Sequence, residues 1–240
     1  SVRDVVVKSS TLVYGAHPKD PTWFSEETRR TMPPRSAVER SLVEVEGYVR
    51  DFAVDNPHVA VAMLRFSNVL GPDITTPLAK ALELPLVPAV FGYDPRFQFV
   101  HETDVVRAIK FALETGLQGI YNVAGDGMLP WSEVAAICGK RTVPLPPVGM
   151  NLLSPPLRRL GVDLPAEFLD LLRHGRGVDN RRLKQAGFEY RFTSAGTVAD
   201  FVESLRIRGL VDASETSYQY ERDVEQFFRH SPAVIRDDQQ

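Results

Sequence analysis

The sequence predicts an α/β fold built on a parallel sheet. Strand-like and helix-like segments alternate over the first 125 residues, which is typical of parallel strands joined by helices. The strand-like segments are mostly apolar and lack the polar–apolar alternation of a half-exposed strand, which indicates burial on both faces. Beyond residue 125 the strand signals fade, so we expect a smaller and mostly helical region to follow.

The first predicted strand opens the chain. Val5, Val6 and Val7 form a β-branched run that favours a strand, and the hydroxyls of Ser9 and Ser10 follow directly. A buried strand of this kind normally lies in the middle of a sheet, between other strands. We therefore expect a polar site at the carboxyl end of this strand, in a sheet whose earlier strands are missing from this chain.

A helix is predicted to begin after the prolines at positions 33 and 34. Ser36 and Glu39 have the spacing of a capping box, in which the two side chains bind free backbone N–H groups of the first turn. Apolar residues spaced by three or four positions share one face of this helix, and we expect that face to be packed and dry. The residues of this face are Val38, Leu42, Val45, Val49 and Phe52.

The remaining elements are predicted from the same signals. Strands are expected over 58–66, 86–91, 97–101 and 119–125, and helices over 76–84, 131–138, 165–174, 194–208 and 217–229. Asp104 is a good N-cap and Gly116 is a good residue just past a helix end. A further helix is therefore expected to run from Asp104 to Gly116.

Charge and composition exclude several classes of partner. The formal net charge of −3 offers no basic field for nucleic acid, and no apolar run approaches the roughly 20 residues that span a bilayer. The single cysteine, Cys138, cannot form an internal disulfide, and neither it nor the five histidines show metal-ligand spacing. We expect a cytoplasmic protein with no metal and no nucleic-acid or membrane partner.

Five segments, in this order, carry a resemblance to a known family. They are "SSTLVYG" (9–15), "LRFSNVLGP" (64–72), "FQFVHETDVVRA" (97–108), "GIYNVAG" (119–125) and "VDNRRLKQAGFEYRFT" (178–193). Over roughly residues 1–208 the chain resembles the extended short-chain dehydrogenase/reductase family, the NAD-dependent epimerases and dehydratases that act mostly on nucleotide sugars. The closest similarity is to its UDP-glucose 4-epimerase-like branch.

The resemblance implies a domain organisation and a cofactor. The opening strand corresponds to the fifth strand of a Rossmann-type sheet, so the chain is expected to be the C-terminal two thirds of a longer protein. Residues 1–125 would be the C-terminal part of an NAD(P)-binding domain with a substrate-region insertion near 67–97. Residues 126–210 would form a helical substrate-binding region, and 211–240 a C-terminal helix and tail.

The cofactor expectation has two parts. The resemblance implies NAD or NADP in the full-length protein, and a homodimer is possible. No G-x-x-G-x-x-G follows any strand of this chain, so the helix N-terminus that would hold the pyrophosphate is missing. We therefore expect this chain alone to hold no cofactor.

The resemblance also assigns site residues. Ser10 matches the family's catalytic serine, which lies four residues before a tyrosine. Ser9, Phe66 and Ser67 would face the cofactor, and Asn68 would contact a nucleotide-sugar-like substrate. Read without the resemblance, Ser10 satisfies a strand end and Asn68 belongs to a strand-to-loop turn.

The catalytic pair of the family is not matched. The family's Tyr-x-x-x-Lys transfers a hydroxyl proton while hydride moves to or from the nicotinamide, but Val38 and Leu42 occupy its two positions. Neither side chain carries a proton or a charge. Phe97 also stands where the epimerase branch has an arginine for substrate phosphates, and Arg96 is one residue away.

Two functions remain open from the sequence. The first is an NAD(P)-dependent epimerase/dehydratase-like protein that acts on nucleotide sugars, or derives from enzymes that do, and is degenerate in the Tyr–Lys pair. The second is a non-catalytic dinucleotide-binding sensor or scaffold protein. The missing pair favours the second, and the retained Ser10 and Asn68 favour a surviving pocket.

Overall fold

The computed structural model describes residues 2–146 and 166–208, and it confirms the α/β fold with parallel strands. The strands are β1 (Asp4–Ser10), β2 (Trp23–Phe24), β3 (Ala60–Phe66), β4 (Asn68–Leu70), β5 (Leu86–Val90), β6 (Arg96–Phe97), β7 (Phe99–His101), β8 (Gly119–Val123), β9 (Leu129–Pro130), β10 (Arg141–Leu145) and β11 (Gly177–Val178). The helices are α1 (Ala37–Asp55), α2 (Pro77–Glu83), α3 (Glu102–Thr115), α4 (Trp131–Ile137), α5 (Ala166–His174), α6 (Arg181–Gln185) and α7 (194–208).

The main sheet has three parallel strands in the described residues, in the spatial order β1-β3-β8. Its register aligns Ser9 with Arg65 and Arg65 with Asn122, and it aligns Ser10 with Phe66 one residue further on. Because the carboxyl ends of parallel strands meet at one edge, these residues lie together there. Four two-stranded pairs complete the sheet structure, namely β5–β10, β2–β11 and β4–β7, all parallel, and the antiparallel β6–β9.

One hydrophobic core lies between this sheet, α3 and the segment after α6. Its buried members are Ala62, Leu64, Phe66, Val100, Val105, Ala108, Ala112, Tyr121, Val123, Leu183 and Phe188. A smaller cluster of Val13, Tyr14, Phe24, Ala124 and Val178 joins the turn after β1 to β2 and β11. These two clusters hold the carboxyl ends of β1 and β3 in place.

Helix α1 buries a different face from the predicted one. Ser36 caps it as expected, its Oγ accepting a hydrogen bond from the Glu39 N–H. Val38 is 52% exposed, whereas Glu46 is only 1% exposed. The buried face is thus offset by one residue, or about 100° around the helix. The prediction of a packed, dry apolar face was wrong because a buried ion pair of Glu46, rather than the aliphatic stripe, faces the sheet.

Helix α3 begins before the predicted N-cap. His101 caps it, its Nδ1 accepting a hydrogen bond from the Thr103 N–H. Asp104 lies fully buried inside the first turn, where its carboxylate accepts hydrogen bonds from the backbone N–H groups of Arg191 and Phe192. Asp104 therefore joins α3 to the segment that follows α6 rather than capping the helix.

The region after residue 125 contains more strand than its sequence indicates. β9, β10 and β11 all lie there, each paired with a strand from earlier in the chain. Short edge pairs of two to five residues lack the long apolar run that reveals a buried strand. The helix predicted over 217–229 lies outside the described residues.

Backbone proximity divides the chain into residues 1–201 and residues 202–240. The first unit contains every strand described. The second is described only over 202–208, which are helical, with an ion pair between Arg206 and Glu203. Across the described part of the chain, the search for a helix long and apolar enough to traverse a bilayer found none.

Candidate functional site

A cleft of about 460 Å³ opens at the carboxyl ends of β1 and β3. This volume falls in the range of small-molecule sites, about 300–1,000 Å³. Its walls come from the end of β1, the loop after β3, the first turns of α1 and α2, and α5. The lining residues are Lys8, Ser9, Ser10, Thr11, Leu12, Val38, Phe66, Ser67, Asn68, Val69, Thr76, Pro77, Leu78, Phe168, Leu171 and Arg176.

All but one of the site residues named from the sequence line this cleft. The structure brings Ser9, Ser10, Phe66, Ser67, Asn68 and Val38 to its wall. Leu42 is half-buried on α1 and is not among the lining residues. The parallel register of β1 and β3 explains the convergence, since both strands end at this edge.

Ser10 ends β1 and starts a 3₁₀ turn over Thr11–Tyr14. Its Oγ accepts a hydrogen bond from the Leu12 N–H at 3.2 Å. The hydroxyl proton remains available to a ligand, because this bond uses an oxygen lone pair only. Ser10 thus has both a local structural role and a position on the wall of the cleft.

The side chain of Ser9 is part of a buried hydrogen-bond network. Its Oγ donates to Glu46 Oε1 at 2.7 Å, and Arg65 Nε donates to the same oxygen at 2.9 Å. Arg65 and Glu46 are 5% and 1% exposed. A buried charge needs such a partner, because its desolvation is otherwise costly. The network fixes the end of β1 against α1.

Tyr14 and Asn122 extend this network behind the cleft. Arg65 Nη1 donates to Tyr14 Oη at 2.8 Å, and Tyr14 Oη donates to Asn122 Oδ1 at 2.8 Å. Burial raises the pKa of Tyr14, against the lowering effect of Arg65. Tyr14 is therefore a neutral phenol near neutral pH and acts as a structural donor. This network was not predicted from the sequence, although Arg65 is the one charged residue in the otherwise apolar strand β3.

Ser67, which follows β3, and Asn68, which begins β4, present two polar side chains to the cleft. Asn68 Nδ2 donates to the Gln98 carbonyl oxygen at 2.9 Å, which leaves its Oδ1 free of any hydrogen bond within the described residues. Ser67 is 9% exposed, and no described group forms a hydrogen bond with its Oγ. Buried polar atoms are almost always paired. An unpaired hydroxyl in the cleft wall is a position where a bound ligand would supply the partner.

Val38 lies at the mouth of the cleft, on the first turn of α1. Its side chain is aliphatic and half-exposed, so it offers no proton and no charge. Among the described lining residues, only Lys8 and Arg176 carry charge, and both are basic. This charge suits an anionic ligand, and the described part of the lining contains no carboxylate or imidazole to act as a general base.

The position that lacks the arginine of the epimerase branch is buried and aromatic. Phe97 is fully buried and packs against Trp131, with ring centroids 4.7 Å apart. Arg96 points to solvent and is not among the lining residues. A search for groups of three or more histidine, cysteine, aspartate and glutamate side chains that could hold a metal found none in residues 2–146 and 166–208.

The chain matches a known family over its first half. The profile of the "NAD dependent epimerase/dehydratase family" matches residues 1–124. Uncharacterized proteins of Mycobacterium tuberculosis and Mycobacterium bovis are 37% identical to this chain over 213 residues. That alignment covers 88% of this chain and 56% of each relative, so the chain spans little more than half the length of these proteins.

Solved structures share the fold at low sequence identity. MoeE5 in complex with UDP-glucose and NAD superposes with a TM-score of 0.64 at 23% identity, over 87% of this chain and 66% of MoeE5. The NAD complex of the UDP-glucose 4-epimerase of Thermus thermophilus gives 0.59 at 21% identity, over 85% of this chain and 64% of the epimerase. The dTDP-glucose 4,6-dehydratase of Bacillus anthracis gives 0.60 at 19% identity, over 84% and 61%.

Proposed function

The chain belongs to the NAD dependent epimerase/dehydratase family, and on that premise we propose that its cleft binds a nucleotide sugar while lacking the proton-transfer pair. The observation that carries this proposal is the position of Val38. It lines the same cleft as Ser10 and Asn68, at the position that the resemblance gives to the catalytic tyrosine. On this proposal the cleft keeps residues for ligand binding but lacks the tyrosine that would transfer the proton.

The ligand class follows from the charge of the cleft. Its two charged lining residues, Lys8 and Arg176, are both cationic. Most of the remaining lining is apolar, with a few hydroxyls and one amide, as in small-molecule sites. A sugar linked to a nucleoside diphosphate has the matching chemistry, since it combines negative charge with hydroxyl groups.

The residues present fit one part of the cofactor. Phe66 offers an aromatic wall and Ser67 an unpaired hydroxyl, and both could face a nicotinamide ring and its amide. When bound, NAD or NADP would accept hydride from the substrate and return it. The groups that would hold its pyrophosphate do not occur in this sequence. We propose that they belong to an N-terminal segment of a longer protein.

A turnover assay on that longer protein tests the proposal. We expect it to bind NAD or NADP and UDP-glucose, as measured by calorimetry, and to interconvert the sugar far more slowly than ordinary enzymes. Turnover at tens per second, the ordinary range for enzymes, would contradict the loss of the proton-transfer pair. Failure to bind any nucleotide sugar would contradict the ligand assignment.

The alternative is a non-catalytic dinucleotide sensor or scaffold. The absence of a general base from the described cleft lining favours it over a slow enzyme. The same assay separates the two. A sensor binds the dinucleotide without any sugar turnover, whereas a weak enzyme shows slow turnover that saturates with substrate.

A further inference from the structure

Arg176 is a buried cation whose backbone is held beside strand β6, which contains Phe97. Its N–H donates to the Arg96 carbonyl oxygen at 3.0 Å, and its backbone pairs with Phe97. Gly175 makes this approach possible, because it has φ of 64° and a Cβ there would lie 2.4 Å from the Arg96 carbonyl oxygen. The backbone at Gly175 and Arg176 therefore fixes the position of Arg176 next to β6.

The guanidinium of Arg176 is only partly satisfied. Its Nε donates to the Gly15 carbonyl oxygen at 2.9 Å, and the residue itself lines the cleft. Within the described residues, neither of its two Nη atoms forms a hydrogen bond or an ion pair. Glu39, the carboxylate with the largest electrostatic effect on it, already accepts hydrogen bonds from Arg30 Nη2 and the Arg35 N–H.

The burial of Arg176 makes an anionic ligand favourable. The residue is 7% exposed, and burial lowers its pKa to about 10, so it remains charged near neutral pH. The nearby carboxylates of Glu39 and Asp20 raise this pKa but do not offset the effect of burial. A phosphate that accepts two hydrogen bonds from one guanidinium would stabilise the buried charge further. Among the residues that the structure describes, none that lines the cleft is acidic.

We propose that Arg176 binds the phosphate groups of the ligand through its two Nη atoms. This inference rests on the proposed function, since it assigns a residue to the diphosphate of the nucleotide sugar. The cation would then come from a residue whose backbone pairs with Phe97, which is itself buried against Trp131 and carries no charge. Ser67 and Asn68 line the same cleft and are available to the rest of the ligand.

Calorimetric titration of the 240-residue chain with three probes tests this assignment. The probes are UDP-glucose, inorganic pyrophosphate and uridine, which has no phosphate. The variant is Arg176→Gln, and the matched control is Arg96→Gln, which removes the same charge from an exposed neighbour outside the cleft. Removing a charged hydrogen-bond donor is expected to weaken UDP-glucose and pyrophosphate binding about tenfold or more. Arg96→Gln is expected to leave both affinities within about twofold.

The outcomes separate this inference from the proposed function. Equal affinities of Arg176→Gln and Arg96→Gln for UDP-glucose would overturn the inference and leave the proposed function intact. Arg176-dependent binding of pyrophosphate without any binding of UDP-glucose would support an anion site and contradict the nucleotide-sugar ligand. Binding of neither phosphate probe to the unmodified chain would overturn both. Uridine binding is expected to be the same in all variants.

A second measurement covers the case in which Arg176→Gln does not fold. The side-chain Nε–H signal of Arg176 in the unmodified chain is assigned by comparison with Arg176→Lys, which keeps a cation. Pyrophosphate is expected to shift this signal, and uridine is not. No shift at saturating pyrophosphate would overturn the assignment.

Discussion

Arg65 on β3 and Glu46 on α1 form a buried ion pair, in which Arg65 Nε donates to Glu46 Oε1 at 2.9 Å. Burial by itself would lower the pKa of Arg65, but its hydrogen bond to Glu46 raises it above the ordinary value. Arg65→Met leaves the Glu46 carboxylate buried without its buried counter-charge. We expect the free energy of unfolding to fall by about 3–5 kcal/mol, as measured by urea denaturation.

Two further variants control this prediction. Arg50 also lies near Glu46, at 3.9 Å, but its side chain is 55% exposed. Arg50→Met is expected to change stability by less than about 1 kcal/mol, as exposed ion pairs do. The double variant of Glu46→Gln with Arg65→Met removes both charges and should recover part of the loss. A single variant Arg65→Met as stable as Arg50→Met would contradict the role of the pair.

Restoring the proton-transfer pair should not reduce turnover in the longer protein. We expect the double variant of Val38→Tyr with Leu42→Lys to raise the rate on UDP-glucose, by no more than the about 10²–10⁴ that general acid–base catalysis contributes. Val38 is 52% exposed, so a tyrosine there should change stability by only about 0.5 kcal/mol.

The matched control is the double variant of Val45→Tyr with Val49→Lys. It places the same pair at the same spacing on α1, at positions that do not line the cleft. No change in turnover is expected from it. Equal rate increases in both double variants would show that the effect does not arise in the cleft.

The 240-residue chain alone should bind NAD and NADP too weakly to measure at micromolar concentrations. Phe66 and Ser67, the cofactor contacts proposed above, would both lie on the nicotinamide side of the dinucleotide. Calorimetric titration checks this, with UDP-glucose as the parallel titrant. A micromolar dissociation constant would require about −8 kcal/mol from one edge of the dinucleotide and would contradict the prediction.

The carboxylate of Asp126 makes stability depend on acid pH. A hydrogen bond from Asn180, at 2.8 Å, lowers the pKa of Asp126, and Lys184 adds to this against the effect of burial. A lowered pKa in the folded state stabilises the fold above the unfolded value of 3.8 and ceases to do so as the pH falls through the folded value. Asp126→Asn should therefore lower the urea midpoint at about pH 6, and the difference should shrink toward about pH 3. A difference that is independent of pH would contradict this assignment.

The alternation of strands and helices was sufficient to predict the α/β fold, and the site residues that the family resemblance assigned at the ends of β1 and β3 line one cleft. The orientation of α1 could not be predicted in the same way. Val38, Val45 and Phe52 have ideal spacing for a buried face, yet a pairing of Glu46 with Arg65, nineteen residues away, decides which face turns inward. Hydrophobic periodicity contains no information about a buried ion pair between two elements.

Arg176 was missed for a related reason. It lies between Gly175 and Gly177, just before the two-residue strand β11, and a segment this short shows no hydrophobic periodicity. Its importance arises from the backbone pairing with Phe97, which is almost eighty residues earlier in the chain. Phe97, which stands where the epimerase branch has an arginine, could be identified from the sequence. The cation beside it, Arg176, could be identified only from the tertiary structure.

The position of Glu46 also affects how the cleft can change by mutation. Because Glu46 and Arg65 fix the rotation of α1, the helix does not depend on the half-exposed Val38 for its orientation. Val38 can be replaced while the backbone that presents it to the cleft stays in place. A polar side chain at this position would change the chemistry of the cleft wall without the loss of stability that a core substitution causes.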